Sequence, residues 1–170
     1  MIDCPDERVC VAVVEGPLRL EDLLFQAKKA SRLAPVQVVR EDRVVGLDHL
    51  RTAAAHMWRA MEEGRNQANR PEVEFTRYLA GRRTIQEALT HMGIEDGAPR
   101  GVVVGLGDDR EKAVEYFVEM LGLVEGTLPD ADEAHARAFG ITDDAWETTT
   151  GERRLDLPLE AVASVDLMRT

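Results

Sequence analysis

EVEFTRYLAGRRTIQEALTHMG, residues 72 to 93, joins an alternating segment to a capped helical one through a small, doubly basic turn. Val73, Phe75 and Leu79 share one parity of a pleated strand, and Glu74, Thr76 and Tyr78 share the other. The segment therefore reads as half-buried β structure over Val73 to Ala80, with Arg77 interrupting the apolar face. Ala80 and Gly81 give a turn. Thr84 and Glu87 fit a capping box, in which each side chain satisfies the other residue's orphan backbone N–H. A helix is predicted from there, with Ile85, Ala88, Leu89 and Met92 on one buried stripe and Gly93 as the left-handed residue that closes it. Arg82 and Arg83 stand exposed at the junction.

Working outward, Val9 to Val14 is a short apolar run closed by Gly16-Pro17, consistent with a buried strand. Leu20, Leu23, Leu24, Ala27 and Ala30 follow helical spacing, with Glu21 and Asp22 early and Lys28, Lys29 and Arg32 late, complementing the helix dipole. Pro35 stops this helix, and Val36, Val38 and Val39 make a second strand. A longer helix is predicted from Leu47 to about Glu63, with Leu50, Ala54, Trp58 and Met61 on one stripe. The polar turn RNQANRP follows. After residue 93, Val102 to Val104 reads as a fourth strand, and Asp108 or Asp109 caps a helix burying Ala113, Val114, Phe117, Val118 and Leu121. Beyond Gly126 the pattern is helical: Asp130 to Phe139, a turn at Asp143 to Glu147, and a segment from Pro158 carrying Leu159, Val162, Val165 and Met168. TTTGERR reads as exposed and mobile. The expected fold is α/β, a single domain over 1–170 with about four strands in a mixed sheet covered by helices and a helical C-terminal region.

Its 170 residues, 44% of them apolar, suffice for one substantial core, and no linker divides them. No apolar run approaches the roughly 20 residues a membrane helix needs. MIDCPDERVC carries neither a basic leader nor an apolar signal core, so a cytoplasmic location and no membrane partner are expected. Cys4 and Cys10 match neither a zinc ribbon nor a disulfide framework, and they read as reduced thiols.

The net charge of −11 opposes nucleic-acid binding on average, yet it is unevenly spread. From Arg40 to Arg83, nine arginines meet seven acids, a local +2 within a remainder of −13. Of the 21 basic residues only Lys28, Lys29 and Lys112 are lysine, a usage that with the acidity points to a salt-adapted or GC-rich source. In high salt, phosphate attraction is screened within a few ångströms, so an RNA site must lean on stacking and geometry.

Catalytic patterns are lacking. Gly105-Leu-Gly107 follows a strand and precedes a helix, as a phosphate-binding turn does, but it lacks the third glycine and is followed by Asp108 and Asp109. A small nucleotide-binding enzyme using Gly105 to Asp109 is the competing reading. His49 and His56 lie seven apart on a helix, beyond the four-residue step that aims two ligands at one metal. No metal, cofactor or catalytic residue is expected. Arginine is the remaining informative chemistry, because its planar fork grips phosphate and its face stacks on bases. Arg65, Arg70, Arg77, Arg82 and Arg83, with Asn66 and Asn69, could bind a short single strand; as ordinary surface charges they would balance Glu62, Glu63, Glu72 and Glu74.

At HLRTAAAHMWRAMEEGRNQANRPEVEFTRYLAGRRTIQEALTHMGIEDG, residues 49 to 97, the chain resembles the small kinase-binding subunit of KEOPS, the complex that makes threonylcarbamoyladenosine on tRNA. The human relative is the PRPK-binding protein. The likeness rests on His49-Leu50, the Ala-rich helix, RNQANR, and Gly81-x-Arg83-x-Ile85-x-Glu87-Ala88 ending at Met92-Gly93-Ile94. It extends more loosely to the N-terminal strand and helix and to LEAVASVDL at Leu159 to Leu167. The resemblance implies a non-catalytic α/β protein, of archaeal source, that docks on the complex's small atypical kinase, itself the partner of the threonylcarbamoyl transferase subunit. It implies further that the tRNA acceptor end, the single-stranded 3′ CCA, is held by Gly81, Arg83 and Ile85. Arg82, Arg65, Asn69 and Arg70 join them as local inferences, and Leu159, Val162, Val165 and Met168 are the kinase-binding candidates. A structural partner without RNA contact is the remaining alternative.

Overall fold

The computed structural model describes residues 2–168. Four strands, β1 (Val9–Leu18), β2 (Val36–Arg40), β3 (Ala98–Leu106) and β4 (Val124–Gly126), form one sheet in the order β2-β3-β1-β4. The fold is α/β with a four-stranded sheet and helices, as expected, although every pairing is antiparallel. Val9–Val14 of β1 and residues 101–106 of β3 are unbroken buried runs because both sheet faces are covered there. Alternation sorts their side chains: Val9, Val11, Val13, Val102, Val104 and Leu106 enter one core, while Cys10, Ala12, Val14 and Val103 enter the other.

Helices α1 (Leu20–Ala30) and α5 (Arg110–Leu121) pack on the second face, through Leu23, Ala30, Ala113, Val114 and Phe117. Leu20 and Leu24, expected on the buried stripe of α1, are exposed, Leu24 to 64%. The first face carries α2 (Gly46–Glu62), α3 (Pro71–Ala80) and α4 (Ile85–Met92), together with Val162 and Val165 near the C-terminus. Short helices α6 (Glu133–Phe139), α7 (Asp143–Thr148) and α8 (Leu157–Ser164) complete the chain, and Val45, Ala136, Phe139 and Trp146 make a small third cluster.

The segment read as a third strand is helix α3. Pro71 occupies the first turn, where its missing N–H costs nothing, and Gly81 closes the helix at φ 64°, ψ 33°. Phe75, Tyr78 and Leu79 form the i, i+3, i+4 buried stripe. Arg77, anomalous on a strand, lies one helical step from Glu74 and pairs with it. The strand that completes the sheet is β4, only three residues long.

Three further expectations change. Gly93 is extended (φ −66°, ψ 146°), not left-handed. It is required because a Cβ there would lie 2.4 Å from the Leu89 carbonyl oxygen, and it bridges to Val39. Leu89 is exposed to 42%, so the buried residues of α4 are Ala88 and Met92. Cys4 and Cys10 form a disulfide rather than standing as free thiols. Asp3 pairs with Val11, and that chain reversal sets the two Cα atoms 4.1 Å apart, a proximity that sequence spacing does not reveal.

Candidate functional site

Glu74 organises the approach to the junction from inside α3. Fully buried, it accepts from the Gln67 and Ala68 backbone N–H groups at 3.2 and 2.8 Å, and from Arg77 at 3.1 and 2.6 Å. Its four lone-pair directions are thus used, two on the polar loop before α3 and two on the helix itself. Arg77 is 3% exposed, so this arginine is structural. His49 seats the other end of α3. Its Nδ1 accepts from Val45 N–H at 3.0 Å and its Nε2 donates to the Leu79 carbonyl at 2.8 Å. Burial pushes its pKa down to about 4, so the ring is neutral at physiological pH.

The chain then leaves the core. Gly81 turns against α8, where a Cβ would meet the Ala161 methyl at 3.2 Å, in a backbone conformation that disfavours any side chain. Thr84 accepts from Glu87 N–H at 3.2 Å and starts α4, which is the Thr84 half of the predicted capping box. Arg82 and Arg83 are exposed between these fixed points, and among the described residues neither makes an ion pair. Ile85 is half-buried beside them.

The other candidates lie elsewhere, and the two arginines among them are paired with acids. Arg65 bonds Glu63 at 2.5 Å and Asp166 at 3.0 Å, while Arg70 bonds Glu72 at 2.5 Å. Arg65, Asn69 and Arg70 precede α3, whereas Arg82 and Arg83 follow it, so the two groups are separated by a ten-residue helix, about 15 Å long. Helix α3 thus divides these residues into two groups, and the junction holds Gly81, Arg82, Arg83 and Ile85.

Of the kinase-binding candidates, Val162 and Val165 are spent in the core with Phe75 and Tyr78. Leu159 is half-buried and Met168 is exposed, beside Leu167 at 81%. Asp166 sets this end of the chain. Its Oδ1 accepts from Tyr78 at 2.6 Å and Arg65 at 3.0 Å, and its Oδ2 meets His56 Nδ1 at 3.0 Å. Burial opposes its charge, but the bonds from Tyr78, His56 and Arg65 hold the carboxyl below its usual range. Burial and Asp166 in turn push the Tyr78 hydroxyl up to about 12. Sequence offered no sign of Asp166, which lies 88 residues from Tyr78 and 110 from His56.

The Gly105-Leu-Gly107 turn has a packing explanation. A Cβ at Gly105 would lie 2.6 Å from the Arg110 carbonyl oxygen and 2.7 Å from a Val114 methyl, so this glycine lets α5 sit close on the sheet. Among the described residues, no group of three or more His, Cys, Asp or Glu could hold a metal, and no helix is long and apolar enough to cross a membrane.

The profile of one protein family, described as kinase binding protein CGI-121, matches residues 19–145. The match runs from α1 into the first turn of α7 and includes the junction. No curated protein matches the chain.

Proposed function

Because the chain belongs to the CGI-121 family of kinase-binding proteins, we propose that it is a non-catalytic adaptor subunit of KEOPS that docks the small atypical kinase. Through that kinase it meets the threonylcarbamoyl transferase subunit indirectly, and it recruits tRNA by the 3′ CCA end for threonylcarbamoyladenosine formation. Kinase docking uses the apolar C-terminal surface at Leu159, Leu167 and Met168, with Val162 and Val165 supporting it from the core.

The observation that carries the RNA role is the junction. Gly81 and the Thr84 cap fix the backbone on either side of two exposed arginines that make no ion pair among the described residues. Such a pair is preorganised for phosphate contact and base stacking, and Ile85 adds an apolar edge. The acidic remainder of the chain limits non-specific attraction, which suits recognition of a short single-stranded end over duplex. Against the competing nucleotide-binding enzyme stands the packing role of Gly105.

Titration of the full chain with tRNA having or lacking CCA, at matched salt, tests the proposal. Binding should depend on CCA, and Arg83→Ala should weaken it about five- to ten-fold, as expected for loss of a stacking or phosphate contact. Unchanged affinity in Arg83→Ala would remove the junction from the site. Capture of the kinase with no tRNA binding would leave a purely structural partner.

A further inference from the structure

Arg43 is 39 residues from Arg82 in sequence, yet both line one open cleft of about 510 Å³ along α4, with Gln86, Glu87, Thr90 and His91. His91 is the half-buried residue of that lining whose ring is held on both sides. Its Nε2 lies 2.6 Å from the Phe139 carbonyl, which can only accept, so Nε2 carries the proton and Nδ1 is free to accept. Arg43 supplies that donor at 3.3 Å, and the same terminal nitrogen donates to the His91 carbonyl at 2.6 Å. One nitrogen of the guanidinium is thereby anchored by two acceptors on a single residue, and the rest of the fork makes no hydrogen bond or ion pair among the described residues.

The cleft is electropositive as well as ordered. Arg43 makes no ion pair among the described residues, and adjacent Asp42 is already bound by Arg40 at 2.8 Å. Arg82 extends to the end of α6, where a Cβ on Gly140 would come 3.8 Å from its terminal nitrogen. Glu87 is the one acid in the lining, against two arginines. His91 registers the balance: burial first, then the charges of Arg82, Arg43 and Arg40, hold its pKa below the ordinary value. Gln86 and Thr90 add an amide and a hydroxyl on neighbouring turns of α4.

We propose that Arg43 and Arg82, with Gln86 and Thr90, form a binding site for a phosphodiester of single-stranded RNA. Guanidinium forks match phosphate oxygens in pairs, and an anchored fork loses little freedom on binding. The site begins at Arg82 and so continues the proposed CCA junction, placing a backbone phosphate beside the nucleotide that Arg83 contacts. It rests on the RNA-binding role proposed above and adds Arg43 and the ligand chemistry.

The experiment titrates the full chain with a single-stranded RNA ending in CCA across a salt series. Arg43→Gln should weaken binding about five-fold and flatten the slope of log affinity on log salt by about 0.7, the share of one phosphate on a single strand. Arg43→Lys, which keeps the charge but not the fork, should restore the salt slope while leaving affinity below that of the wild type. In the wild-type protein the His91 ring signals should shift on RNA addition, a readout needing no mutation. Arg43→Gln binding as tightly as wild type, or His91 signals unmoved at saturation, would overturn the cleft; an accompanying loss in Arg83→Ala would leave the junction standing. Absence of any RNA binding by the wild type would overturn both.

Discussion

Helix α3 and the turn that follows it carry arginines of opposite kinds within six residues. Arg77 is buried against Glu74, whose second oxygen holds the preceding loop, so its charge is consumed in the fold. Arg82 and Arg83, past the left-handed Gly81, face solvent and make no ion pair among the described residues. The difference teaches that arginine content does not locate a binding surface. What matters is whether a neighbouring acid has already satisfied the fork, and a single helical step decides that for Arg77.

The most forceful way to break the contrast is to strip the buried side. Arg77→Met leaves Glu74 charged and enclosed, which should cost about 3–5 kcal/mol of stability in urea unfolding. Adding Glu74→Gln should recover much of this, because the neutral amide still accepts from Ala68 N–H. A loss in Arg77→Met below about 1 kcal/mol would show that Arg77 is no more structural than its exposed neighbours.

Acid attacks the same region through His49. Unfolded, this ring takes up a proton near pH 6.5; folded, only near pH 4. The unfolded state binds more protons in that window, so stability should fall as the pH drops from about 6.5 to 4, by at most about 1.4 kcal/mol per unit. His49→Gln should remove that slope while lowering stability at neutral pH. A profile identical in the two proteins would sever the link between His49 and the seat of α3.

The smallest effect belongs to the exposed side. Arg82→Ala and Arg83→Ala should each change stability by less than about 0.5 kcal/mol, as surface substitutions do. A larger change would place these arginines in the fold and erase the contrast.

Several features were legible because they depend on neighbours in the chain. The buried strand at Val9–Val14, the stripe of α2, the Thr84 cap and the buried face of α5 follow from local pattern. The 73–80 segment failed because its apolar residues satisfy two periods at once. Phe75 and Leu79 fit a strand's parity as well as a helix's stripe, and the bracketing Pro71 and Gly81, with Arg77 one step from Glu74, were the signals that separated them. Strand β4 could not be found, since three residues carry no period.

The site divides along the same line. Gly81, Arg82, Arg83 and Ile85 are contiguous, so sequence alone placed them together at a turn. Arg65, Asn69 and Arg70 looked equally close, yet α3 stands between. Conversely, Arg43 and His91, 48 residues apart, meet through one hydrogen-bonded contact, and Cys4 faces Cys10 only because Asp3 turns back onto Val11.

By itself, then, the sequence determined the layered α/β class, most helix and strand identities and a basic turn in an acidic chain, because patterning and capping act within a few residues. Tertiary structure alone decided which charges are spent and which are free. An ion pair such as Arg65 with Asp166, or the exposure of Arg83, depends on distances that only the packed chain sets.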